Sequence, residues 1–236
     1  TLIMKAILIF SCLLCSITSN GQKHRISINY KPSLTYLGKQ TQGFDNFYFV
    51  SRSGNKTFNS AANILYSYTF LSKFNVKTGV EFSQQGQNIN FKTNSVIPEN
   101  NNIIFKTRLN YIRIPITIGY SIFKGKKDEL NINTGVSLGF VTKRVDNYQD
   151  IILEDILLPR AEKRYKDKDL AIPIGINYHR VLTKKFSAIF GFEYLVGLTN
   201  SFNENGASKF GVLSEFDNSK QKRLSVNFGI GFNLTK

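Results

Sequence analysis

Four charged residues, Glu81, Arg113, Glu193 and Arg223, lie inside segments that otherwise alternate apolar with small side chains, and Lys77 and Tyr111 share their phase. Carboxylates and guanidiniums held together in an enclosed interior pair with one another, because an isolated ion there bears the full cost of lost hydration. Such a set makes a structural plug, and the same groups could line a gate or a small-solute path. Material for catalysis is scarce. His24 stands near the start of the patterned region and His179 within a later segment, and neither has a Ser or Asp at motif spacing, so each reads as a hydrogen-bonded filler and not a general base. Cys12 and Cys15 are the only cysteines and both precede the patterned region, which leaves no thiol nucleophile, disulfide or zinc site in the rest. No catalytic residue, metal or cofactor is expected, although an enzyme acting on lipid or peptide is kept as a second class of function.

The elements that must carry these residues show a period of two, the spacing that sends alternate side chains to opposite faces of a strand. Eight strands are expected, marked by Ile26–Tyr36, Ile64–Phe70, Phe74–Phe82, Ile112–Ile122, Leu130–Phe140, Leu170–Tyr178, Phe186–Leu198 and Leu224–Leu234. The residues between the apolar positions are small, among them Gly79, Gly119, Gly135, Ser137, Gly175, Asn177, Gly191, Ser225 and Gly229. A solvent-facing surface favours Lys and Glu, whereas a narrow lumen accepts short side chains and a few ions. The apolar face then meets lipid, and closure removes the unpaired edges that hydrocarbon does not tolerate.

Connection lengths agree. Short turns near Ser72–Lys73, Gly125–Asp128 and Thr183–Lys185 alternate with long polar connections near Lys39–Lys56, Gln84–Asn102, Lys143–Asp169 and Ser201–Gln221. That is the plan of a barrel with short periplasmic turns, long external loops and both termini in the periplasm. Phe70, Phe74, Phe123 and Phe186 gather at the short turns as an interfacial aromatic girdle. The longest loop, from Asp146 to Lys168 with Tyr148 and Tyr165, is the place to expect partner recognition, or else a solvated surface facing lipopolysaccharide.

The first 21 residues differ from the rest of the chain. Lys5, the apolar run Ala6–Cys15 and the small or polar residues up to Gly21 have the order of a secretory signal, so residues 1–21 are expected to be a signal peptide and 22–236 one barrel domain, with Met4 as initiator. A lipidation cysteine fits poorly, since neither Cys12 nor Cys15 follows a suitable box. No later stretch is apolar for eighteen residues, which excludes a transmembrane helix there. With 20 Phe, 11 Tyr and 17 Gly against five Pro and no Trp, the composition suits strands. The formal charge of +15 is spread over turns and loops and forms no basic helix or nucleic-acid motif, so anionic lipid is the expected partner and nucleic acid is not.

Two internal similarities argue for one repeated architecture. Residues 74–82 resemble 186–194, and Ile114-Pro115-Ile116 matches Ile172-Pro173-Ile174. Proline removes a ladder donor, and these two are read as local bulges. The sequences Tyr111-Ile112-Arg113-Ile114-Pro115-Ile116, Asn133-Thr134-Gly135-Val136-Ser137-Leu138-Gly139, Gly197-Leu198-Thr199-Asn200 and Gly229-Ile230-Gly231-Phe232, in this order, resemble the Bacteroidetes outer-membrane β-barrel domain family that includes PorT-like proteins. The resemblance spans nearly all of the chain after the signal and implies an eight-stranded outer-membrane barrel in a family whose members mostly lack an assigned activity. It also implies the alternative of a component in a protein secretion apparatus, with a secretion-system or surface protein as partner. The fold expected is therefore all-β, an eight-stranded antiparallel transmembrane up-and-down barrel, with a structural or surface-interaction role.

Overall fold

In the computed structural model, which describes residues 23–36, 49–93, 102–148, 166–201 and 220–234, eight strands form one closed barrel. They are β1 (Lys23–Tyr36), β2 (Phe49–Phe70), β3 (Phe74–Thr93), β4 (Asn102–Lys124), β5 (Asp128–Tyr148), β6 (Lys168–Val181), β7 (Phe186–Asn200) and β8 (Lys220–Asn233). Each strand pairs antiparallel with its sequence neighbours, and β1 closes on β8 through Ile28 opposite Ile230 and Leu34 opposite Leu224. The expected signal peptide, the loop between Asp146 and Lys168 for the most part, and the tips of the other long connections lie outside the described residues.

Which way the alternation points decides what solvent the barrel is built for. Ile28, Ile64, Phe82, Ile118, Ile174, Phe192 and Ile230 stand on the outer surface. Asn29, Asn63, Glu81, Asn131, Asn177, Ser225 and Asn227 are buried inside it. A water-soluble barrel has the opposite arrangement, so this outer face is one that hydrocarbon covers. Inward glycines let the walls approach. A Cβ on Gly135 would stand 2.1 Å from the Ile116 carbonyl oxygen, and one on Gly79 would stand 2.0 Å from that of Ile64.

Aromatic rings collect at the short-turn end as expected. Phe70 stacks on Phe74 with centroids 5.9 Å apart, Phe74 meets Tyr120 at 5.1 Å, and Phe186 meets Phe232 edge-on at 5.4 Å. The β2–β3 reversal is tight enough to put Leu71 and Ser72 in the left-handed region, with φ of 48° and 58°.

Two expectations change. Pro115 and Pro173 are not bulges: Pro115 opposes Ser137 and Pro173 opposes Leu195 without a shift of register, and the ladder on the other side of each keeps its register too. Glycine stands opposite each proline, Gly79 and Gly135 by that register, and the missing donor does not shift the ladder. The strands are also longer than the apolar alternation suggests. Residues 49–56, 84–93 and 143–148, which the sequence presents as loop, are strand. They lack apolar alternation because they lie beyond the lipid-facing belt, where nothing requires it.

Candidate functional site

The inward face of the barrel carries three tiers of polar groups, ordered by their distance from the short turns. In the middle tier Lys31 on β1 and Arg223 on β8 bridge the same two carboxylates. Lys31 Nζ donates to Glu81 Oε2 at 2.9 Å and to Glu193 Oε2 at 2.7 Å. Arg223 completes the ring, Nη1 donating to Glu81 Oε1 at 2.6 Å and Nη2 to Glu193 Oε1 at 2.8 Å. Every carboxylate oxygen thus faces a cation, and the ring is electrically neutral. Asn63 Nδ2 adds a longer contact to Glu81 at 3.4 Å.

Above it, toward the long connections, Arg113 Nη2 pairs with Asp169 Oδ2 at 2.7 Å and donates to Gln221 Oε1 at 2.7 Å. Gln221 in turn donates to the Tyr111 hydroxyl. The guanidinium lies 4.5 Å from the Tyr111 ring centroid, a cation–π contact. A cap of neutral groups lies beyond, in which the Thr35 and Thr57 hydroxyls each donate to the Gly86 carbonyl at 2.9 Å.

Toward the short turns, Arg25 Nη1 donates to His179 Nδ1 at 2.6 Å and Nη2 stands 3.7 Å from Glu129 Oε2. Ser121 donates to Glu129 at 2.6 Å or to Asn131 at 2.7 Å. His179 faces the lumen, and it acts as a hydrogen-bond acceptor within a polar cluster.

The tiers reach across the bore as well as between neighbours: the middle one takes in β1, β3, β7 and β8, the upper one β4, β6 and β8, and the lower one β1, β5 and β6, so that β3 is tied to β8, β4 to β8 and β1 to β6 without a shared ladder. Of the six lumen residues singled out in the sequence, the structure brings Glu81, Glu193 and Arg223 into the middle tier and sets Arg113 and Tyr111 in the separate upper tier. Lys77 lines the lumen between the lower and middle tiers without an ion pair or hydrogen bond among the described residues. Lys31 and Asp169 are members that the sequence reading does not single out. Lys31 is in phase with Asn29 and Ser33, a signal that could have found it; Asp169 is masked by the charged residues with which β6 begins, which look like the end of a loop.

Between the lower and middle tiers lies a cavity of about 50 Å³. That volume holds a few waters and no organic solute. Among the described residues no three metal-ligating side chains cluster.

The arrangement can therefore cross-link the wall and fill the bore. Buried ion pairs of this kind add little net stability over an apolar filling, yet loss of one partner is costly. They also leave the outer face free of charge where lipid meets it.

Solved structures similar to this chain include Neisserial surface protein A, with 7% identity and a TM-score of 0.48 over 90% of this chain and 99% of that one. Others are the attachment invasion locus protein Ail of Yersinia pestis, with 14% identity and a TM-score of 0.41 over 92% and 100%, and OprG of Pseudomonas aeruginosa, with 8% identity and a TM-score of 0.47 over 91% and 97%. No curated protein sequence matches the chain. A family model described as outer membrane protein beta-barrel domain matches residues 20–203. The chain belongs to this outer-membrane β-barrel family.

Proposed function

We propose that this outer-membrane barrel is a closed, non-catalytic scaffold that displays a protruding sheet for contact with a surface protein partner. The observation that carries this reading is the uneven length of the strands. β2, β3, β4 and β5 have 22, 20, 23 and 21 residues, against 14, 14, 15 and 14 in β1, β6, β7 and β8. A membrane crossing needs only about 9–11 residues of strand. Four consecutive strands therefore run past the rim at the long-connection end as one sheet.

Among the described residues, no strand pairs with 49–55 on the β1 side or with 142–148 on the β6 side. Unpaired strand edges are surfaces to which a further chain adds by main-chain hydrogen bonding. The lumen supports the non-pore half of the reading, since the neutral ring and the tiers on either side set hydrogen-bonded side chains across the bore.

Outward cations at this rim, Lys106, Arg108, Lys143, Lys168 and Lys222, stand just beyond the apolar belt, where lipopolysaccharide phosphates would meet them. They support an orientation with the long connections outside and both termini in the periplasm. The narrower kinship with PorT-like proteins, and with it a part in a secretion apparatus, is carried by the four sequence motifs alone. Those motifs contribute Tyr111, Arg113, Gly139 and Gly231 to the lumen, so they speak for the barrel more than for any partner.

The test has two arms. The wild-type protein in planar bilayers is expected to give no steady conductance, and steady channels would remove the closed scaffold. Photo-cross-linking in intact cells from residues 88 and 106 is expected to yield surface partners that are lost when the sheet is shortened to the rim. A partner set unchanged by shortening ends the display reading, and loss of an external secretion product in the shortened strain would favour the PorT-like one.

A further inference from the structure

The cavity beneath the central ring has an imbalance of charge that its walls do not correct. The cations reaching it are Arg25, Lys31, Lys77 and Arg223, and the carboxylates reaching it are Glu81 and Glu193. Lys31 and Arg223 already occupy all four oxygens of those carboxylates. Arg25 has Glu129 at 3.7 Å. Lys77 is left over, an ammonium inside the barrel with no ion pair or hydrogen bond among the described residues.

A second group points the same way. A guanidinium only donates, so the 2.6 Å contact from Arg25 Nη1 makes His179 Nδ1 the acceptor and puts the ring proton on Nε2. His179 is 4% exposed and lines the cavity, and its Nε2 has no hydrogen-bond partner. One ammonium and one N–H donor thus line the same small space with no acceptor hydrogen-bonded to either among the described residues. A buried donor in that position is normally satisfied.

We propose that the lower lumen of this barrel is a binding site for a small monatomic anion of the halide class, held by Lys77 Nζ and His179 Nε2. Size selects the class. A space of about 50 Å³ takes one such ion with a water or two and excludes phosphate esters and sugars. Charge selects it as well, since one added negative charge balances Lys77 without disturbing the ring above. The unpartnered carbonyl oxygens of Asn29 and Asn227 are acceptors, and they hold the accompanying water and not the ion. The anion would act as the missing counter-charge that lets an unpaired lysine stay inside the wall.

Crystals of the full chain grown in bromide give the direct test. An anomalous peak within hydrogen-bonding distance of both Lys77 Nζ and His179 Nε2 is expected; a map with no peak there, or with water alone, overturns the site. In solution, thermal unfolding in chloride is compared with gluconate at equal ionic strength, because a ligand bound only by the folded state raises its stability with concentration. The wild type is expected to be stabilised by chloride, and Lys77→Met is expected to fold and to lose that dependence. Should Lys77→Met fail to fold, Lys77→Gln and the wild-type bromide map decide. A chloride effect that survives both substitutions places the anion elsewhere and ends the proposal.

Discussion

Arg223 Nη1 lies 2.6 Å from Glu81 Oε1 although the two residues are 142 positions apart and their strands, β8 and β3, share no hydrogen-bonded ladder. Nothing but the bore of the barrel separates those strands, so the contact measures how completely the interior is filled. It also closes the ring through which Lys31 and Glu193 are held.

Glu81→Gln removes one of the two carboxylates between Lys31 and Arg223 and leaves two buried cations sharing Glu193. Breaking a buried pair in this way costs about 3–5 kcal/mol. The loss is expected as a lower urea midpoint, followed by the change in gel mobility between folded and boiled protein. Adding Lys31→Met to Glu81→Gln restores neutrality and is expected to return part of the loss, whereas strictly additive effects would show that the ring is not a unit.

Gly135→Val places a side chain where the Ile116 carbonyl oxygen and the Thr117 Cα lie 2.1 and 2.6 Å from the position of Cβ. Backbone cannot yield as a flexible side chain does, so the β4–β5 wall must open. Failure to form the heat-modifiable species is expected. Gly125→Ala is the control: its nearest neighbour is the Phe123 ring at 3.4 Å, and folding like the wild type is expected.

Ile116→Lys sets an ammonium in the middle of the lipid-facing belt, between Thr78 on β3 and Val136 on β5. Charge at the bilayer midplane of a barrel costs about 2–4 kcal/mol, falling toward zero at the interfaces. The expected penalty in lipid vesicles is therefore several times that of Phe123→Lys beside the β4–β5 turn. Equal penalties would mean that this surface does not face hydrocarbon.

Ser72→Gly relieves a left-handed residue, φ 58°, in the β2–β3 turn. An L side chain in that region costs roughly 1–2 kcal/mol, and glycine visits it freely. Against this, glycine enlarges the unfolded ensemble. A net gain below about 1 kcal/mol is expected in equilibrium unfolding, and a clear loss would show that the reversal is not held in this conformation.

By itself the sequence determined the outward greasy face, the inward glycines, the order of short and long connections, and hence an eight-stranded membrane barrel. These are local properties: alternation repeats every two residues, and hydrocarbon imposes it on each crossing independently. Where hydrocarbon ends the rule ends too, so the polar strand extensions at residues 84–93 and 143–148 could not be told from loop. Only the tertiary structure decided which charges meet. Glu81 and Arg113 stand opposite each other in the β3–β4 ladder, yet Glu81 pairs with Lys31 and Arg223 and Arg113 pairs with Asp169, because the reach of each side chain across the bore sets its partner, and that is not written in any one strand.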